Sequence, residues 1–560
     1  MIRRFIIYLV LIFFLIGIPL SVLLVKGYSH VAFPVPVFEP APLGVILVIP
    51  LDSRPPCTDY ITSLARMAGF KVILPPTELM DDYQQPANAA GMREWLQQNA
   101  GSANSAIISV DMLIHGGLLA SRKGMGSEET ADAVLSQLSA IHQSYPQIKL
   151  FAFNIIPRLL ISEDTQTEKY KQLMAQWSIL QETTALFENP QDFRRLQLLE
   201  AKIPTEIITS YRKLYAANQR LNRRLIELTQ NGILSGLVLG QDDSAPFGLG
   251  NMERQRLENF IGNLPELRQR IFLTRGTDEV ALTLLGPATI GTEGIKHKVY
   301  VHYTEPHTAT AILPYMPRPL MQTVAEKLAI AAADPTENIS EADFILVVHA
   351  GNSQSRELQL KDSANLISAW IRAGRNVAVV DLATDWVENQ TLLPHLKRNG
   401  TLHQLIAYAG WNTASNSIGT AITQSIMSLR GRDTNEPAIA LYRDLARVEF
   451  LSERILDDWY YQKIYRHQLN EELEKQKVDP YNLKEARVRV TDRINHKLYN
   501  AWLQYIHREW RDAVFPLTPP SSGSYAVYDW NLHSSLPWDR TFEISVKAKP
   551  SPAQIIEWKH

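Results

Sequence analysis

Several features that are common in other proteins are scarce or missing in this chain of 560 residues. Its one cysteine is Cys57, so no internal disulfide can form, and the surrounding PPCTDY motif predicts a packed, unreactive thiol. The 56 basic and 58 acidic residues nearly cancel, to a formal net charge of -2. The sequence therefore gives no sign of nucleic-acid binding.

Short motifs that would identify a cofactor are also missing. The phosphate-binding pattern GxxxxGK[ST] does not occur, and no GxGxxG follows the first predicted strand. No HxH or HExxH spacing marks a metal site. We therefore expect no cofactor and no nucleotide.

An apolar run of about twenty residues, Phe5 to Val25, stands near the N-terminus and carries no charge. A helix of that length spans the apolar core of a bilayer. Arg3 and Arg4 favour leaving the preceding end in the cytoplasm. The run predicts an uncleaved signal anchor over residues 1–27, with the body attached to the cytoplasmic membrane on its extracytoplasmic side. The Pro-rich residues 28–43 are expected to form a semi-rigid linker.

Apolar runs that end on polar side chains recur along the rest of the chain. The clearest is GLVLGQ, which starts at Gly236 and stops at the adjacent carboxylates Asp242 and Asp243. Such runs are typical of parallel strands in α/β proteins, whose carboxyl ends carry ligands and catalytic groups. The other predicted strand ends carry Asp52, Arg54, Asp111, His115, Asn154, Arg158, Arg275, Asp278, Glu279, His349, Asn352, Asp381, Trp411 and Asn412.

This alternation of strands and helical patterns predicts an α/β fold with a largely parallel sheet over residues 44–430. A (β/α)8-barrel-like core is favoured, because an open sheet concentrates its ligands at one switch point, whereas here all strand ends look functional. Two open, Rossmann-like doubly wound domains are the alternative. We expect a helical insertion at about 161–231, a β insertion at about 298–319, and a C-terminal helical region with an irregular tail over 431–560.

The polar strand ends are candidate site residues, although Asp, Ser or Asn after a strand often only caps the next helix. Capping does not explain arginine, histidine and tryptophan at equivalent places. We predict Asp242 and Asp243 to be catalytic and the other strand-end residues to bind substrate. The two carboxylates can share a pocket only if the strand ends at Gln241, because adjacent strand residues point to opposite faces. Otherwise the partner carboxylate must come from Asp278, Glu279, Asp111 or Asp381.

The strand-end motifs carry a resemblance to known proteins. PLDSRPPC, DMLIHGGLLASR, GQDDSAPFG, TRGTDEVALTLL, AYAGWNTASNSIGTA and LPWDRTFEI resemble the signature blocks of a bacterial family known as domain of unknown function 4127. That resemblance implies one fold and no particular activity. The order of the acidic strand ends is also similar, more weakly, to glycoside hydrolase family 84, a family of (β/α)8 barrels. The second likeness implies that Asp242 orients a substrate acetamide and Asp243 protonates the leaving oxygen, but the family's opening glycine-phenylalanine-tyrosine block is absent.

Paired carboxylates suit the cleavage of a glycosidic bond, which needs one carboxyl group protonated and another ionised. We predict an exported, membrane-tethered glycoside hydrolase for an envelope or extracellular glycan, with Asp243 as the general acid and Asp242 as the group that stabilises positive charge. A metal-dependent hydrolase is one alternative, because the acidic and histidine strand ends are ligand types for a divalent ion. A glycan-binding protein without activity is the other.

Overall fold

The computed structural model describes residues 30–124, 126–160, 167–290, 294, 296–352, 354–383, 387–510, 513–518 and 523–557. In these ranges the strands form two parallel sheets and one antiparallel sheet. Helices cover both parallel sheets and also separate them.

The first sheet has six strands, all parallel. After a short strand β1 (His30–Pro34), they are β2 (Gly44–Ile49), β3 (Phe70–Ile73), β4 (Ser105–Ser109), β5 (Lys149–Ile156), β6 (Gly236–Gln241) and β7 (Ile271–Arg275). Their order across the sheet is β3-β2-β4-β5-β6-β7. The winding therefore reverses between β2 and β4, and open sheets of this kind bind ligands at the carboxyl ends beside such a reversal.

The helices of this part are α1 (Asp59–Met67), α2 (Ala89–Asn99), α3 (Val110–His115), α4 (Leu118–Ser121), α5 (Glu128–Ser144), α6 (Lys171–Phe187), α7 (Pro190–Glu200), α8 (Thr205–Gln230) and α9 (Leu249–Gly262). Helices α2, α5, α8 and α9 cover the outer face of the first sheet, where Leu96 and Leu225 share one apolar cluster with Ile108 and Leu239. Helices α6 to α8 are the described part of the predicted helical insertion, and α6 and α8 build a smaller core around Trp177.

The second sheet has five strands, again all parallel. They are β8 (His297–Tyr303), β9 (Ala333–Pro335), β10 (Phe344–Gly351), β11 (Val377–Ala383) and β12 (Ala407–Ala409), in the order β12-β11-β10-β8-β9. When each sheet is counted by its own strands, both begin with the doubly wound order 2-1-3-4-5. The accompanying helices are α10 (Val280–Ala288), α11 (Leu320–Ile330), α12 (Glu357–Arg372), α13 (Leu393–Arg398) and α14 (Ala414–Gly431).

A layer of helices lies between the two sheets and joins them. Helices α1, α10, α11 and α14 share one apolar core with the inward faces of both sheets, including Val48 and Phe153 of the first and Val348 and Val380 of the second. Helix α14 is buried along most of its length. The two sheets therefore pack as one body, with the start of α14 close to the carboxyl ends of the first sheet.

The C-terminal part begins with helices α15 (Pro437–Arg454), α16 (Arg466–Lys475), α17 (Arg487–Trp502) and α18 (Arg508–Trp510), with π-helical segments at Ile455–Tyr465 and Leu503–His507. Strands β13 (Phe515–Pro516), β14 (Ser524–Ser535) and β15 (Ser545–Glu557) then form an antiparallel sheet with β1. The tail expected to be irregular is thus largely a sheet. Its strand β14 buries Tyr525, Val527, Trp530 and Ser534.

The predicted α/β class with parallel sheets is confirmed. The described parallel strands form two separate sheets, as in the two-domain alternative, and no closed barrel is found among the described strands. Strand β8, which the sequence suggested to be part of a β insertion, instead runs parallel to both of its neighbours within the second sheet.

The predicted single-pass attachment to the membrane is corrected by the structure. In the described part of the chain, no helix is both long and apolar enough to cross a bilayer. The predicted anchor itself, residues 1–27, lies outside the described residues. We therefore withdraw the localisation that was based on it.

Candidate active site

A cavity of about 310 Å³ opens at the carboxyl end of the first sheet. The segments that follow β2, β4, β5, β6 and β7 all contribute to its wall, together with the loop after β12 and the start of α14. The loop between β14 and β15 reaches the same cavity. The predicted site residues that line it are Arg54, Arg158, Asp242, Asp243, Asp278 and Asn412.

Asp242 and Asp243 share this cavity because β6 ends at Gln241, directly before them. Adjacent carboxylates can converge only where the extended backbone has stopped, and the φ of 33° at Asp243 turns the chain away from the strand direction. The side chain of Asp242 is 3% exposed, whereas that of Asp243 is 32% exposed. Asp243 is therefore the member of the pair that a ligand can reach.

The two carboxylates have different cationic partners. Asp242 accepts two hydrogen bonds from Arg122, from Nε at 2.7 Å and from Nη2 at 2.9 Å, which is the bidentate geometry of a strong arginine–carboxylate pair. Asp243 is held more loosely, with Arg158 Nη1 at 3.3 Å from its Oδ2. Burial first, and then the charge of Asp242, raise the pKa of Asp243 above its usual value, while Arg122 and Arg158 oppose that rise.

Arg54 and Asp278 form a network that links the segments after three strands at the same cavity. Its Nη2 donates to Asp52 Oδ2 at 2.6 Å and to Asp278 Oδ1 at 2.7 Å. Asp278 also accepts from the side-chain amides of Asn412 and Asn416, each at 3.4 Å. Buried charges are costly unless they are paired and hydrogen-bonded, so this network fixes the segments after β2, β7 and β12 together.

Two further carboxyl groups lie behind the cavity wall. Asp111 accepts a hydrogen bond from a backbone N–H of β5 at 2.8 Å, and burial, helped by the charge of Asp242, raises its pKa to about 7. Asp81 accepts from the backbone N–H of Ser53 at 2.7 Å. Burial and the charge of Asp52 raise the pKa of Asp81 to about 8. The site thus contains acids of unequal proton affinity, as acid–base catalysis requires.

A second cavity, of about 350 Å³, adjoins the first. Arg54, Asp243, Tyr315 and Asn412 line both cavities, so Asp243 lies where the two meet. Trp411 lines the second cavity, and its buried indole Nε1 has no hydrogen-bond partner among the described residues. A ligand of two units could occupy both cavities with Asp243 between them.

Unfavourable backbone geometry is concentrated at the first cavity. Tyr83, Asp243, Tyr315 and Asn412 have φ values of 53°, 33°, 61° and 50°, and all four line it. Side chains other than glycine rarely adopt positive φ, and such strain clusters at functional sites. The surrounding packing therefore holds these four side chains where relaxed loops would not.

A possible metal site in the described part of the chain is better explained by Arg54. Asp52, Cys57 and Asp278 each offer one ligand atom, and these atoms lie within 4.8 Å of one another. The guanidinium of Arg54 already donates to both carboxylates and supplies the positive charge. Burial and the two acidic neighbours raise the pKa of the Cys57 thiol well above its usual value, which opposes the thiolate that a metal needs. These residues do not fit a divalent ion.

Four other predicted residues lie close to the first cavity without lining it. Asp52 holds Arg54 in place. Asp111 and His115 line a neighbouring cavity of about 590 Å³, which Asp242 also borders. His115 Nδ1 accepts from the backbone N–H of Gly126 at 2.8 Å, and burial lowers the pKa of His115 to about 4. Trp411 belongs to the second cavity.

The remaining predicted residues make contacts within the fold and do not line either of these two cavities. Asp381 accepts the backbone N–H groups of Leu392 and Leu393 at 2.8 and 3.0 Å, so it caps α13. Asn352 accepts from the backbone N–H of Gln354 at 2.8 Å. Two of the others form ion pairs, Arg275 with Glu326 and Glu279 with Lys327. The last two are hydrogen-bonded: Asn154 to Asn222, and His349 to Thr304 and to the carbonyl of Gln390.

Several cavity residues were missed because they do not follow a strand directly. Arg122 comes after the short helix α4, and Trp538 and Arg540 belong to the loop between β14 and β15. Trp538 Nε1 donates to Ser53 Oγ at 2.8 Å, which ties that loop to the end of β2. The sequence did contain a signal, since the motifs DMLIHGGLLASR and LPWDRTFEI include these three residues.

A family model described as "Protein of unknown function (DUF4127)" matches residues 46–547. The chain belongs to the DUF4127 family. The match covers every segment that lines the first cavity, from Arg54 to Phe542. A comparison with curated proteins finds no match. The weaker resemblance to glycoside hydrolase family 84 is not borne out by this family match.

Proposed function

We propose that this protein hydrolyses a glycosidic bond by acid catalysis at Asp243. The observation that carries the proposal is that the two carboxylates at the end of β6 differ in exposure and in how tightly each is bound by an arginine. The side chain of Asp242 is buried and accepts two hydrogen bonds from Arg122, whereas that of Asp243 is accessible to a ligand and has a raised pKa. Glycoside hydrolysis needs two carboxyl groups whose environments separate their protonation states in this way.

In the proposed reaction, Asp243 gives its proton to the leaving oxygen as the bond to the anomeric carbon breaks. Asp242, kept in place by Arg122, stabilises the positive charge that develops on the sugar ring. Water adds to the anomeric carbon, and the proton that it releases restores Asp243. No metal ion is needed for these steps.

Aromatic side chains around the cavity support a sugar as the substrate. Tyr315 and Tyr481 line the first cavity and are 53% and 54% exposed. Exposed tyrosines of this kind offer an apolar face for the C–H surface of a sugar ring and a hydroxyl for hydrogen bonding. Arg54 and Asn412 add polar groups that can contact sugar hydroxyls in either cavity.

The proposal is tested by turnover of a panel of glycosides with poor leaving groups, such as methyl glycosides and disaccharides, at pH 5 and pH 7. We expect turnover by the unmodified chain and a loss of about 10²- to 10⁴-fold in Asp243→Asn, the range that a general acid contributes. Asp242→Asn is expected to lose activity as well. Asp362→Asn, an exposed acid on α12, is the matched control and should keep full activity.

Turnover that survives both cavity substitutions would contradict the assignment. A glycan-binding protein without activity would give a third result, in which glycosides bind but no substrate on the panel is cleaved.

A further inference from the structure

The residues that line the first cavity include more cations than acids. Its cationic lining residues are Arg54, Arg122, Lys123, Arg158 and Arg540, and its acidic ones are Asp242, Asp243 and Asp278. Three of the cations are matched by carboxylates at close range: Arg54 by Asp52 and Asp278, Arg122 by Asp242, and Arg540 by Glu543. The other two cations, Lys123 and Arg158, are not paired in this way.

Within the part of the chain that the structure describes, Lys123 and Arg158 have no strong carboxylate partner. Lys123 is exposed and makes no ion pair with any residue in the described ranges. Among the carboxylates of the described ranges, Arg158 pairs with Asp243 alone, at 3.3 Å, and its Nε donates to the carbonyl of Leu160 at 3.2 Å. In the proposed reaction Asp243 carries a proton, so Arg158 then faces a neutral acid. Both cations are thus available to an anionic group of the ligand.

The same cavity has two further features that suit an anionic, hydroxylated ligand. Helix α14 has 18 residues, and the cavity is lined by its N-cap Thr413 and by Asn416 of its first turn. The N-terminal end of such a helix carries partial positive charge. Asn416 is 2% exposed, and its buried Oδ1 has no hydrogen-bond partner in the described part of the protein. Buried acceptors are normally satisfied, so this oxygen points to a donor on the ligand, such as a sugar hydroxyl.

We propose that the substrate is an acidic saccharide whose anionic group lies between Arg158 and Lys123, with its ring in the first cavity and the next unit in the second. Lys123 follows the segment after β4 and Arg158 the end of β5, and these strands are neighbours in the sheet. The anionic group thus binds beside Asp243, where the two cavities meet. This inference rests on the proposed function, because a protonated Asp243 is what leaves Arg158 without a charged partner.

Binding to the Asp243→Asn variant tests the inference without turnover, because asparagine resembles the protonated acid in charge. The probes are the methyl glycosides of glucuronic and galacturonic acid, their neutral counterparts from glucose and galactose, and glucose 6-sulfate, all followed by calorimetry. We expect at least one acidic probe to bind about tenfold or more tightly than its neutral counterpart. The sulfate probe distinguishes a carboxylate from a sulfate as the preferred anion.

Lys123→Gln and Arg158→Gln should each reduce the preference for the acidic probe, and the double variant should abolish it. Lys361→Gln on α12, which does not line the cavity, is the matched control and should leave the preference intact. Raising the salt concentration should weaken binding of the acidic probe more than that of the neutral one.

Equal binding of acidic and neutral probes, no binding of any acidic probe, or a preference that survives the double variant would overturn the inference. Failure of the proposed function has a different signature. In that case the acidic probes bind with the expected preference, but the unmodified chain cleaves no glycoside.

Discussion

Arg122 is the cationic partner of Asp242, whose side chain is nearly inaccessible to water. We expect Arg122→Gln to lower the free energy of unfolding by about 3 kcal/mol, the cost of leaving a buried carboxylate without its cation. Urea denaturation measures this loss. Lys123→Gln, at the adjacent exposed position, is the control and should change stability by no more than about 0.5 kcal/mol.

The double variant Arg122→Gln/Asp242→Asn should regain much of that stability, since no buried charge is then left unpaired. A double variant that is less stable than Arg122→Gln alone would show that the ion pair is not the reason for the loss.

The protonation of Asp243 predicts how activity depends on pH. Only the protonated acid can donate, so kcat/KM should fall as the pH rises through the pKa of Asp243, which is raised above the usual value of 3.8. Arg158 opposes that rise. Arg158→Gln should therefore move the alkaline fall in kcat/KM to higher pH. A pH–rate profile that moves to lower pH, or does not move, would exclude Asp243 as the acid.

At the scale of elements, the layer between the two sheets contains a buried ion pair. Glu279 directly precedes α10, Lys327 lies on α11, neither side chain is exposed, and Ser415 of α14 donates to Glu279 at 2.8 Å. Lys327→Met should lower the free energy of unfolding by about 3–5 kcal/mol, because it leaves Glu279 buried and charged. Thermal denaturation provides the measurement, with Lys361→Met on α12 as the exposed control.

Adding Glu279→Gln to Lys327→Met should restore part of the loss, as in other buried pairs in which both charges are removed. If Lys327→Met is tolerated as well as Lys361→Met, the helices of this layer do not depend on the pair.

The strands and their polar ends were predictable, because buried parallel strands have a simple pattern of short apolar runs. The convergence of Asp242 and Asp243 followed from the same rule, once β6 was known to end at Gln241. The division into two sheets was not predictable, since runs such as β6 and β10 look alike whichever sheet they enter. Arg122 and Trp538 were missed because helix α4 and the β14–β15 loop bring them to the cavity. The apolar pattern of the strands does not predict where such segments lie.

For the molecule as a whole, the buried acids make stability depend on pH. Asp81 has a pKa of about 8 in the folded chain against 3.8 for an ordinary aspartate. Between these pH values the folded chain holds a proton that the unfolded chain has lost, so the contribution of Asp81 to stability is full below about pH 4 and is lost as the pH rises to about 8. The partly buried histidines His115 and His403, with pKa values of about 4, act in the opposite direction.

The contribution of Asp81 can therefore be isolated by difference. Asparagine keeps an acceptor for the N–H of Ser53 and does not ionise. We expect Asp81→Asn to be more stable than the unmodified chain at pH 8, by on the order of 1 kcal/mol or more, and to lose that advantage at pH 4. A stability difference that is the same at both pH values would show that Asp81 does not carry its proton in the folded state.

The central claim, that Asp243 is the general acid for a glycosidic bond, is tested most directly by varying the leaving group. A good leaving group such as dinitrophenolate needs little protonation, whereas a sugar alcohol or methoxide needs a full proton. We expect Asp243→Asn to lose about 10²- to 10⁴-fold in kcat/KM on substrates with poor leaving groups and to keep nearly all activity on the dinitrophenyl glycoside. A loss of the same size on both kinds of substrate, or on neither, would contradict the account.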